Sequence, residues 1–378
     1  MGLFATLPQP PQNDFDLNAL LGEEQTEAPI RRMRRALLAE WFPQSGVQLT
    51  WPHAGTDWAP MLERVTACYI RLAYEIATRE TLLIVHPRPE EVRTLLENRL
   101  PRRATDHIRY FACPTNDTWA RDHAFLSVVD TAGIELMDYR FNGWGGKFPA
   151  SIDNAINRRL SDAGVLCGRY VDRLSFELEG GSIESDGCGT LLTTSQCLLN
   201  PNRNPQFSKE EIEGRLREDF GAAHVLWLDH GALAGDDTDS HIDTLARLCP
   251  HDTILYVRCT DEHDAHYADL QAMERQLQQF RTAEGQPYRL LPLPMPAAIH
   301  DSEDQRLPAT YANYLVMNSA VLYPTYGQPA LDEEAAGIIQ KAFPRHDIVG
   351  VDCLPLIEQH GSLHCATMQY PKGVLLPG

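Results

Sequence analysis

The sequence predicts a single mixed α/β domain with many short strands. Apolar segments of strand length alternate along the chain with helical segments of modest length, and no long linker divides them. No G-x-G-x-x-G fingerprint follows the first strand and there is no Walker loop, which argues against a nucleotide-binding α/β domain. Strands, single helices and turns recur at intervals of roughly 60–80 residues, a range in which repeated-blade folds occur.

Each element follows from its apolar periodicity. The first helix is predicted from the helical spacing of Leu62, Val65, Tyr69, Leu72 and Ile76. Three further helices are predicted in EEVRTLLENRL, in KEEIEGRLREDF and in DEEAAGIIQKAF, and another is marked by Leu270, Met273, Leu277 and Phe280. Strands are predicted, in chain order, in TLLIVHP, HIRYFACP, AFLSVVD, IELMDYRF, TLLTTSQCLLNP, HVLWLDHG, TILYVRC, YLVMNSAVLYP (a strand pair) and HDIVGVDC.

The charge balance excludes one class of partner. Lys and Arg number 33 against 52 Asp and Glu, which gives a net charge of -19. Because phosphate binding needs a basic face, we expect no nucleic-acid partner, whereas cationic ligands are weakly attracted at long range. No stretch is apolar enough to span a bilayer, so no membrane partner is expected. The sequence leaves the formation of a homo-oligomer open.

Cysteine usage and the N-terminus predict the compartment and the domain plan. The nine cysteines are scattered without a C-x-x-C pair, and the first residues lack a secretion signal, so we expect a reduced, cytoplasmic protein. Residues 1–30 are rich in Pro, Gln, Asn and acidic residues, which is typical of a flexible extension. Residues 31–378 are expected to form one catalytic domain.

Five segments carry polar residues that an ordinary core or turn does not need. Each also has a plain structural explanation, as a polar turn, a hairpin, a helix cap or a buried cysteine. The segments are TNDTWARDHAF at 115–125, FNGWGGKFP at 141–149, FELEGGSIESDGCGT at 176–190, GDDTDSHIDTLARL at 235–248 and HGSLHCATMQYP at 360–371.

Two of these segments offer carboxylates beside a turn. Glu179 is followed by Gly180 and Gly181, and a glycine pair lets the backbone approach a ligand or adopt positive φ. The other segment follows a strand and collects, in one loop, Asn116, Asp117, Trp119, Arg121 and Asp122.

Two further segments, 235–248 and 360–371, offer acid–base and nucleophilic groups. His241 and Asp243 lie two residues apart and so face the same side of an extended stretch, where the carboxylate favours an imidazolium that can act as a general acid. The acidic run before them resembles a calcium loop in composition but lacks EF-hand spacing. His364 points away from Cys365 if the segment is extended, which makes His241 the better partner for that thiol.

Together the motifs resemble the agmatine deiminase and bacterial peptidylarginine deiminase family, part of the guanidine-modifying superfamily. The resemblance runs from about Leu38 to Pro371, and AEWFPQSGVQLTWPH, NDTWARD, FNGWGGK, LEGGSIESDG, CLLNPNRNP, TDSHID and GSLHC follow the family's order. It implies a pentein fold, a propeller of five ββαβ blades around a pseudo-fivefold axis with the active site in the central channel. Ser240, Thr244 and Leu38 stand where the family commonly has Gly, Asn and Pro.

The resemblance also implies residue roles. Cys365 matches the nucleophile, His241 the general acid/base, and Glu179 a carboxylate that contacts guanidinium and helps to orient the histidine. Asp122 and Asp243 match the two aspartates that grip the guanidinium nitrogens. No metal and no cofactor is implied. The predicted substrate-binding residues are Trp119, Asn116, Asp117 and Gly180.

The implied reaction is hydrolysis of agmatine to N-carbamoylputrescine and ammonia through a covalent thiouronium on cysteine. Free arginine, an alternative substrate, calls for a basic residue to meet its carboxylate, and Lys147 and Arg203 are the candidates. Peptidyl arginine is a second alternative, but its processing in bacteria is often exported and no export signal is visible. An alternative of another class is a metal-binding protein or metal-dependent hydrolase that uses the acidic loop and His241.

Overall fold

Five separate sheets make up the part of the chain that the computed structural model describes, residues 35–376. The predicted extension at 1–30 lies outside the described residues. The strands are β1 (Arg35–Leu37), β2 (Gln44–Thr50), β3 (Thr81–His86), β4 (Ile108–Ala112), β5 (Leu126–Asp130), β6 (Gly133–Arg140), β7 (Arg169–Glu177), β8 (Ile183–Ser185), β9 (Thr190–Thr194), β10 (His224–Leu228), β11 (Ala246–Cys249), β12 (Thr253–Arg258), β13 (Arg289–Pro294), β14 (Leu315–Val316), β15 (Ala320–Thr325), β16 (Asp347–Asp352) and β17 (Thr367–Pro371).

The helices cover one face of the sheets with amphipathic sequences. The longer ones are Leu62–Ala77, Pro89–Glu97, Ile156–Asp162, Lys209–Phe220, Tyr267–Leu277 and Pro329–Ala342. One-turn α-helices occupy Arg102–Thr105, Ala120–His123, Gly143–Gly146, Ser195–Leu198 and Leu354–Ile357, and 3-10 turns occupy Ala59–Met61, Asp153–Ala155, Gly180–Ser182 and Ile242–Thr244. Among the described residues no helix is long and apolar enough to cross a bilayer.

The same ββαβ unit occurs in every sheet. Its first two strands pair antiparallel, and a helix then leads to a third strand that pairs parallel with the second, as in β8-β9-β10, β11-β12-β13 and β14-β15-β16. In the sheet of β5, β6 and β7, the strand β1 is added at the edge. In the remaining sheet, β17 supplies the first strand and pairs antiparallel with β2 from the other end of the chain. The two ends of the domain are therefore joined within one sheet.

The turn before the first strand of each unit occupies an equivalent topological position. Ala120–His123 precedes β5, Gly180–Ser182 precedes β8, and Ile242–Thr244 precedes β11. Asn313 and Cys365 each lie two residues before a first strand, β14 and β17 respectively. All of these positions are buried, and they contain the polar residues described below.

The mixed α/β class and most predicted elements are confirmed. The helix Lys209–Phe220 has a capping box in which the Glu211 amide donates to the Ser208 hydroxyl and Ser208 N–H donates to the Glu211 carboxylate. TLLTTSQCLLNP differs from expectation, because it forms one strand followed by the one-turn helix Ser195–Leu198, in which the Thr194 hydroxyl accepts from the Cys197 amide. Strands that the sequence did not predict include β7, β8, β11, β13 and β17.

Candidate active site

His241 lies at the centre of a buried polar cluster. Its side chain is fully buried, and neither ring nitrogen has a hydrogen-bond partner within the described part of the chain. Nδ1 lies 3.6 Å from Oδ1 of Asp122. Because buried polar atoms are almost always hydrogen-bonded in folded proteins, two unpartnered ring nitrogens indicate a place for a ligand or water.

The backbone before His241 is left-handed. Asp239 and Ser240 have φ values of 64° and 66°, a conformation that favours glycine. This explains why the family commonly has Gly where this chain has Ser240. Hydrogen bonds hold the conformation here, since the Ser240 amide donates to Asp236 at 2.6 Å and its carbonyl accepts from the Thr194 hydroxyl at 2.7 Å.

Three polar atoms converge on one point in front of Gly181. A Cβ atom at this glycine would lie 2.6 Å from His241 Nδ1, 3.0 Å from Asp122 Oδ1 and 3.1 Å from Asp243 Oδ2. Glycine at residue 181 therefore lets the turn pack closely against the imidazole and the two carboxylates, which it brings together. The backbone amide of Gly181 also donates to Asp122 Oδ1 at 3.2 Å.

Asp122 accepts hydrogen bonds through both carboxylate oxygens, whereas Asp243 is held through one. The Trp144 indole donates to Asp122 Oδ2 at 2.9 Å, and Trp144 adopts the left-handed conformation, with φ at 55°. Asp243 Oδ2 lies 2.7 Å from Nδ1 of His364, whereas Oδ1 has no hydrogen-bond partner among the described residues. An anionic oxygen in the interior without a donor is costly, so Oδ1 is ready to accept a donor from a ligand.

Cys365 is buried beside Asn313. Its backbone amide and its thiol both donate to Asn313 Oδ1, at 3.3 Å and 3.4 Å. Burial, together with the charges of Asp243 and Asp122, raises the pKa of the Cys365 thiol well above its usual value. In this environment the thiol is neutral near neutral pH, and a cation bound beside it would favour the thiolate.

The electrostatics of the histidine and of Asp122 are also shifted. Burial alone lowers the pKa of His241, but Asp122, the Cys197 thiol and Glu179 outweigh burial and raise it to about 10. Burial raises the pKa of Asp122 to about 6, with Asp243 and Glu179 contributing in the same direction and His241 opposing them. At neutral pH the cluster therefore contains an imidazolium and ionised aspartates.

Glu179 is paired with an arginine. Both of its carboxylate oxygens accept from Arg203 Nε, at 2.9 Å and 3.0 Å, and both side chains are buried. A carboxylate oxygen of Glu179, the Sγ of Cys197 and a ring nitrogen of His241 lie within 4.8 Å of one another, so Glu179 borders the histidine. Arg203 also donates to Asp239 at 2.7 Å and to the Thr238 carbonyl at 2.8 Å, which connects Glu179 to the loop before His241.

The family is decided by a match along nearly the whole chain. Residues 36–371 match the family described as Porphyromonas-type peptidyl-arginine deiminase. The chain belongs to this family. Agmatine deiminases of Stutzerimonas stutzeri and Ectopseudomonas mendocina are each 34% identical to it, over 359 and 356 residues that cover 88% of this chain and 94% of either relative.

Solved structures of similar proteins have the same fold. A Porphyromonas gingivalis protein, provisionally named an arginine deiminase, is 51% identical with a TM-score of 0.86 over 90% of this chain and 100% of that one. A C. jejuni agmatine deiminase variant with substrate bound is 37% identical with a TM-score of 0.82, over 90% of this chain and 97% of that one.

Two of the predicted substrate-binding residues, Asn116 and Asp117, make hydrogen bonds that stabilise their own loop. The Asn116 amide donates to Asp153 Oδ1 at 2.6 Å, and Asp117 Oδ1 accepts from the Trp58 indole at 3.1 Å. Trp119 is buried, and a Cβ at Gly361 would lie 2.4 Å from its ring, so it packs on the segment that leads to Cys365.

Gly180 and Gly181 have different surroundings. A Cβ at Gly180 would lie 2.2 Å from the Arg121 carbonyl oxygen, so this glycine permits close packing of two turns. Gly181, which the sequence did not single out as a binding residue, is the one that faces His241.

The acidic loop before His241 uses its carboxylates internally. Asp236 accepts from the Thr238 hydroxyl at 2.6 Å and from the Ser240 amide at 2.6 Å. Asp239 accepts from Lys147 Nζ at 2.9 Å as well as from Arg203. These contacts explain the acidic composition without a cation, and Glu179, which also borders His241, is already bound by Arg203.

Other site residues gave little or no signal in the sequence. Trp144 belongs to FNGWGGKFP, which was noted for its glycines, and its indole contact to Asp122 was not expected. Asn313 lies within an apolar stretch, YANYLVMN, where one buried amide is inconspicuous. Glu40 and Arg247 border the site behind His364, where Glu40 Oε2 lies 2.8 Å and Arg247 Nη2 lies 3.2 Å from its Nε2.

Proposed function

We propose that this chain is an agmatine deiminase, which hydrolyses agmatine to N-carbamoylputrescine and ammonia with Cys365 as nucleophile. The observation that carries the proposal is the grouping of Asp122, Asp243 and His241 around Gly181, where Asp243 Oδ1 and both ring nitrogens of His241 have no hydrogen-bond partner among the described residues. A guanidinium is planar, permanently charged and rich in N–H donors, which suits a space bordered by two carboxylates.

The bound cation prepares the nucleophile. Burial, and then the charges of Asp243 and Asp122, raise the pKa of the Cys365 thiol. A guanidinium held by the two aspartates offsets their charge and favours the thiolate, whose proton is released to solvent, so the nucleophile forms when the substrate binds. Cys365 then attacks the central guanidinium carbon, which gives a tetrahedral adduct.

His241 transfers the protons in both halves of the reaction. Its pKa of about 10 makes it an imidazolium at neutral pH, able to protonate the departing nitrogen so that ammonia leaves and a thiouronium remains on Cys365. The histidine, now neutral, takes a proton from water as the water attacks the thiouronium carbon. The C–S bond then breaks, and the ureido product and the thiol are released.

Agmatine is favoured over free arginine because Lys147 and Arg203, the two candidate partners for an α-carboxylate, are already paired within the protein. Lys147 donates to Asp239 and to the Asp237 carbonyl, and the Arg203 side chain is fully buried between Glu179 and Asp239. The two residues considered as partners for an α-carboxylate are thus already paired with anions. Agmatine has the amine of arginine but only hydrogen in place of that carboxylate, so it needs no such partner, and the relatives named above as agmatine deiminases agree with this choice.

We further propose that the five sheets are blades of a propeller around a pseudo-fivefold axis, with this site in the central channel. Support comes from the turns before the five first strands, which supply Asp122, Glu179, His241 with Asp243, Asn313, and Cys365. We propose residues 31–378 as the single catalytic domain, and a cytoplasmic location stays a prediction.

A colorimetric ureido assay tests the function. Purified protein is given agmatine, free arginine and an arginine-containing peptide side by side, and we expect the highest kcat/KM with agmatine. A higher kcat/KM with arginine or with the peptide would contradict the assignment of substrate. Absence of ureido product from all three would contradict the assignment of a deiminase.

A further inference from the structure

His364 is a buried histidine between two carboxylates. Its Nδ1 lies 2.7 Å from Asp243 Oδ2 and its Nε2 lies 2.8 Å from Glu40 Oε2, and all three side chains are buried. We propose that His364 is a positioning residue, an imidazolium that donates to both carboxylates, keeps Asp243 ionised and leaves its other oxygen for the substrate. This proposal rests on the proposed deiminase function.

The two short contacts to carboxylates favour both ring protons; Arg247 Nη2 also lies 3.2 Å from Nε2, but it donates to Glu40 Oε2 at the shorter distance of 3.0 Å. A neutral imidazole carries one N–H, so it would turn a lone pair toward either Asp243 or Glu40. The imidazolium donates to both carboxylates, and charge-assisted hydrogen bonds of this kind are the strong ones.

The balance of surrounding charges agrees with this protonation state. Three carboxylates face the region around His364: Asp243, Glu40 and Glu184, the last of which pairs with Arg247 Nε. Two guanidinium groups oppose them, because Arg247 Nη2 lies 3.0 Å and Arg121 Nη2 lies 3.8 Å from Glu40 Oε2. Protonated His364 is the third cation, which brings this buried group of charges to neutrality and avoids the cost of an unpaired buried charge.

The consequence for Asp243 concerns its charge and its orientation. Burial alone raises the pKa of Asp243, but the hydrogen bond and charge of His364, with His241 and Arg247, outweigh burial and lower it. Because Oδ2 is bound to His364, Oδ1 is the oxygen left for a guanidinium. The adjacent residue is Cys365, so the contact that orients the carboxylate also fixes the backbone that carries the thiol.

His364→Asn removes the charge and keeps an N–H donor near the position of Nδ1. In the parent protein, Asp122 alone should protonate at the acid limb of agmatine binding, since its pKa is about 6. The variant removes the largest cause that lowers the pKa of Asp243, so that carboxyl should take up a proton as well. We therefore expect agmatine affinity to begin falling at a higher pH than in the parent protein, and to fall with the uptake of two protons instead of one. At neutral pH the affinity should be about tenfold lower or more.

The matched control is His123→Asn. His123 is also buried and lies beside Asp122, but burial lowers its pKa to about 3, and its ring contacts the Thr50 hydroxyl at 3.3 Å instead of a carboxylate. Replacing this neutral histidine should at most lower the melting temperature. The pH at which agmatine affinity falls on the acid side should stay the same. A purely structural role for His364 would give the same result as this control.

Agmatine binding is measured by calorimetry from about pH 5 to about pH 9 in Cys365→Ser protein, with and without His364→Asn or His123→Asn, so that turnover does not interfere. Absence of binding by the Cys365→Ser parent at every pH would reject the proposed function. Binding by the parent, with the same acid limb in the His364→Asn protein, would overturn the role of His364 and leave the function intact.

A second measurement does not depend on folding of the His364 variant. Wild-type protein labelled with ¹⁵N-histidine should show a histidine, other than His241, with both ring nitrogens protonated across neutral pH. Its signals should shift in Glu40→Gln protein, which identifies them as His364. A single protonated ring nitrogen at His364 would overturn the proposal.

Discussion

Gly181→Ala places one methyl group in the space where the substrate is proposed to bind. The new Cβ would lie 2.6 Å from His241 Nδ1, whereas non-bonded atoms at rest keep about 3.5 Å, so the ring must move by about 1 Å. A misplacement of this size can cost about 100-fold in rate. The methyl also lies 3.0 Å from Asp122 Oδ1 and so occupies space needed by a guanidinium. We expect kcat/KM for agmatine to fall by about 100-fold.

The substitution should leave the fold largely intact. Gly181 does not have a positive φ, so alanine is allowed by the backbone, and small-to-large changes in packed sites cost about 1–3 kcal/mol. The assay is steady-state ureido formation, with the free energy of unfolding measured in denaturant. The control is Gly214→Ala in the helix Lys209–Phe220, where a Cβ meets nothing within 4 Å. Unchanged kcat/KM in Gly181→Ala protein would refute the placement of the substrate.

Four further predictions concern the nucleophile, the acid–base group, the pH profile of the wild type and the arginine paired with Glu179. Cys365→Ala should abolish turnover with the fold intact, and His241→Ala should lower kcat by about 1,000-fold or more, a loss below tenfold being inconsistent with its role. The kcat/KM profile of the wild type should fall below about pH 6 as Asp122 is protonated and loses its charge, and again above about pH 10 as His241 loses its proton; a profile flat through pH 6 would contradict the first assignment. Arg203→Ala should destabilise the protein by about 3–5 kcal/mol in chemical denaturation because it leaves Glu179 buried and unpaired, and a loss under 1 kcal/mol would contradict this.

Elements whose limits are set locally could be predicted from the sequence. KEEIEGRLREDF was predicted as a helix and forms Lys209–Phe220, because Ser208 caps one end and Gly221, with φ at 67°, ends the other. The strand β11 (Ala246–Cys249) was missed, since Arg247 interrupts its apolar pattern. That guanidinium is buried at a strand position only because Glu40 and Glu184, distant in the chain, neutralise it.

The site was predictable as a set of motifs but not as a set of contacts. The sequence indicated that His364 points away from Cys365, and the side chain does contact Asp243 and Glu40 while the thiol contacts Asn313. What it contacts could not be inferred, because those partners lie 121 and 324 positions away. Sequence spacing predicts the side of an extended segment that a residue faces, but the tertiary partner depends on how the sheets pack.

A site built from the turns before five first strands explains why each motif looks ordinary by itself. Each turn contributes one or two polar groups, such as Asp122 or Asn313, and one buried polar group in a turn is compatible with a simple structural role. The requirement for function lies in their mutual distances, which five separate ββαβ units set together. A substitution that moves one turn should therefore misplace one group and spare the others. This is why the methyl group at residue 181, which touches three of them at once, is the sharper perturbation.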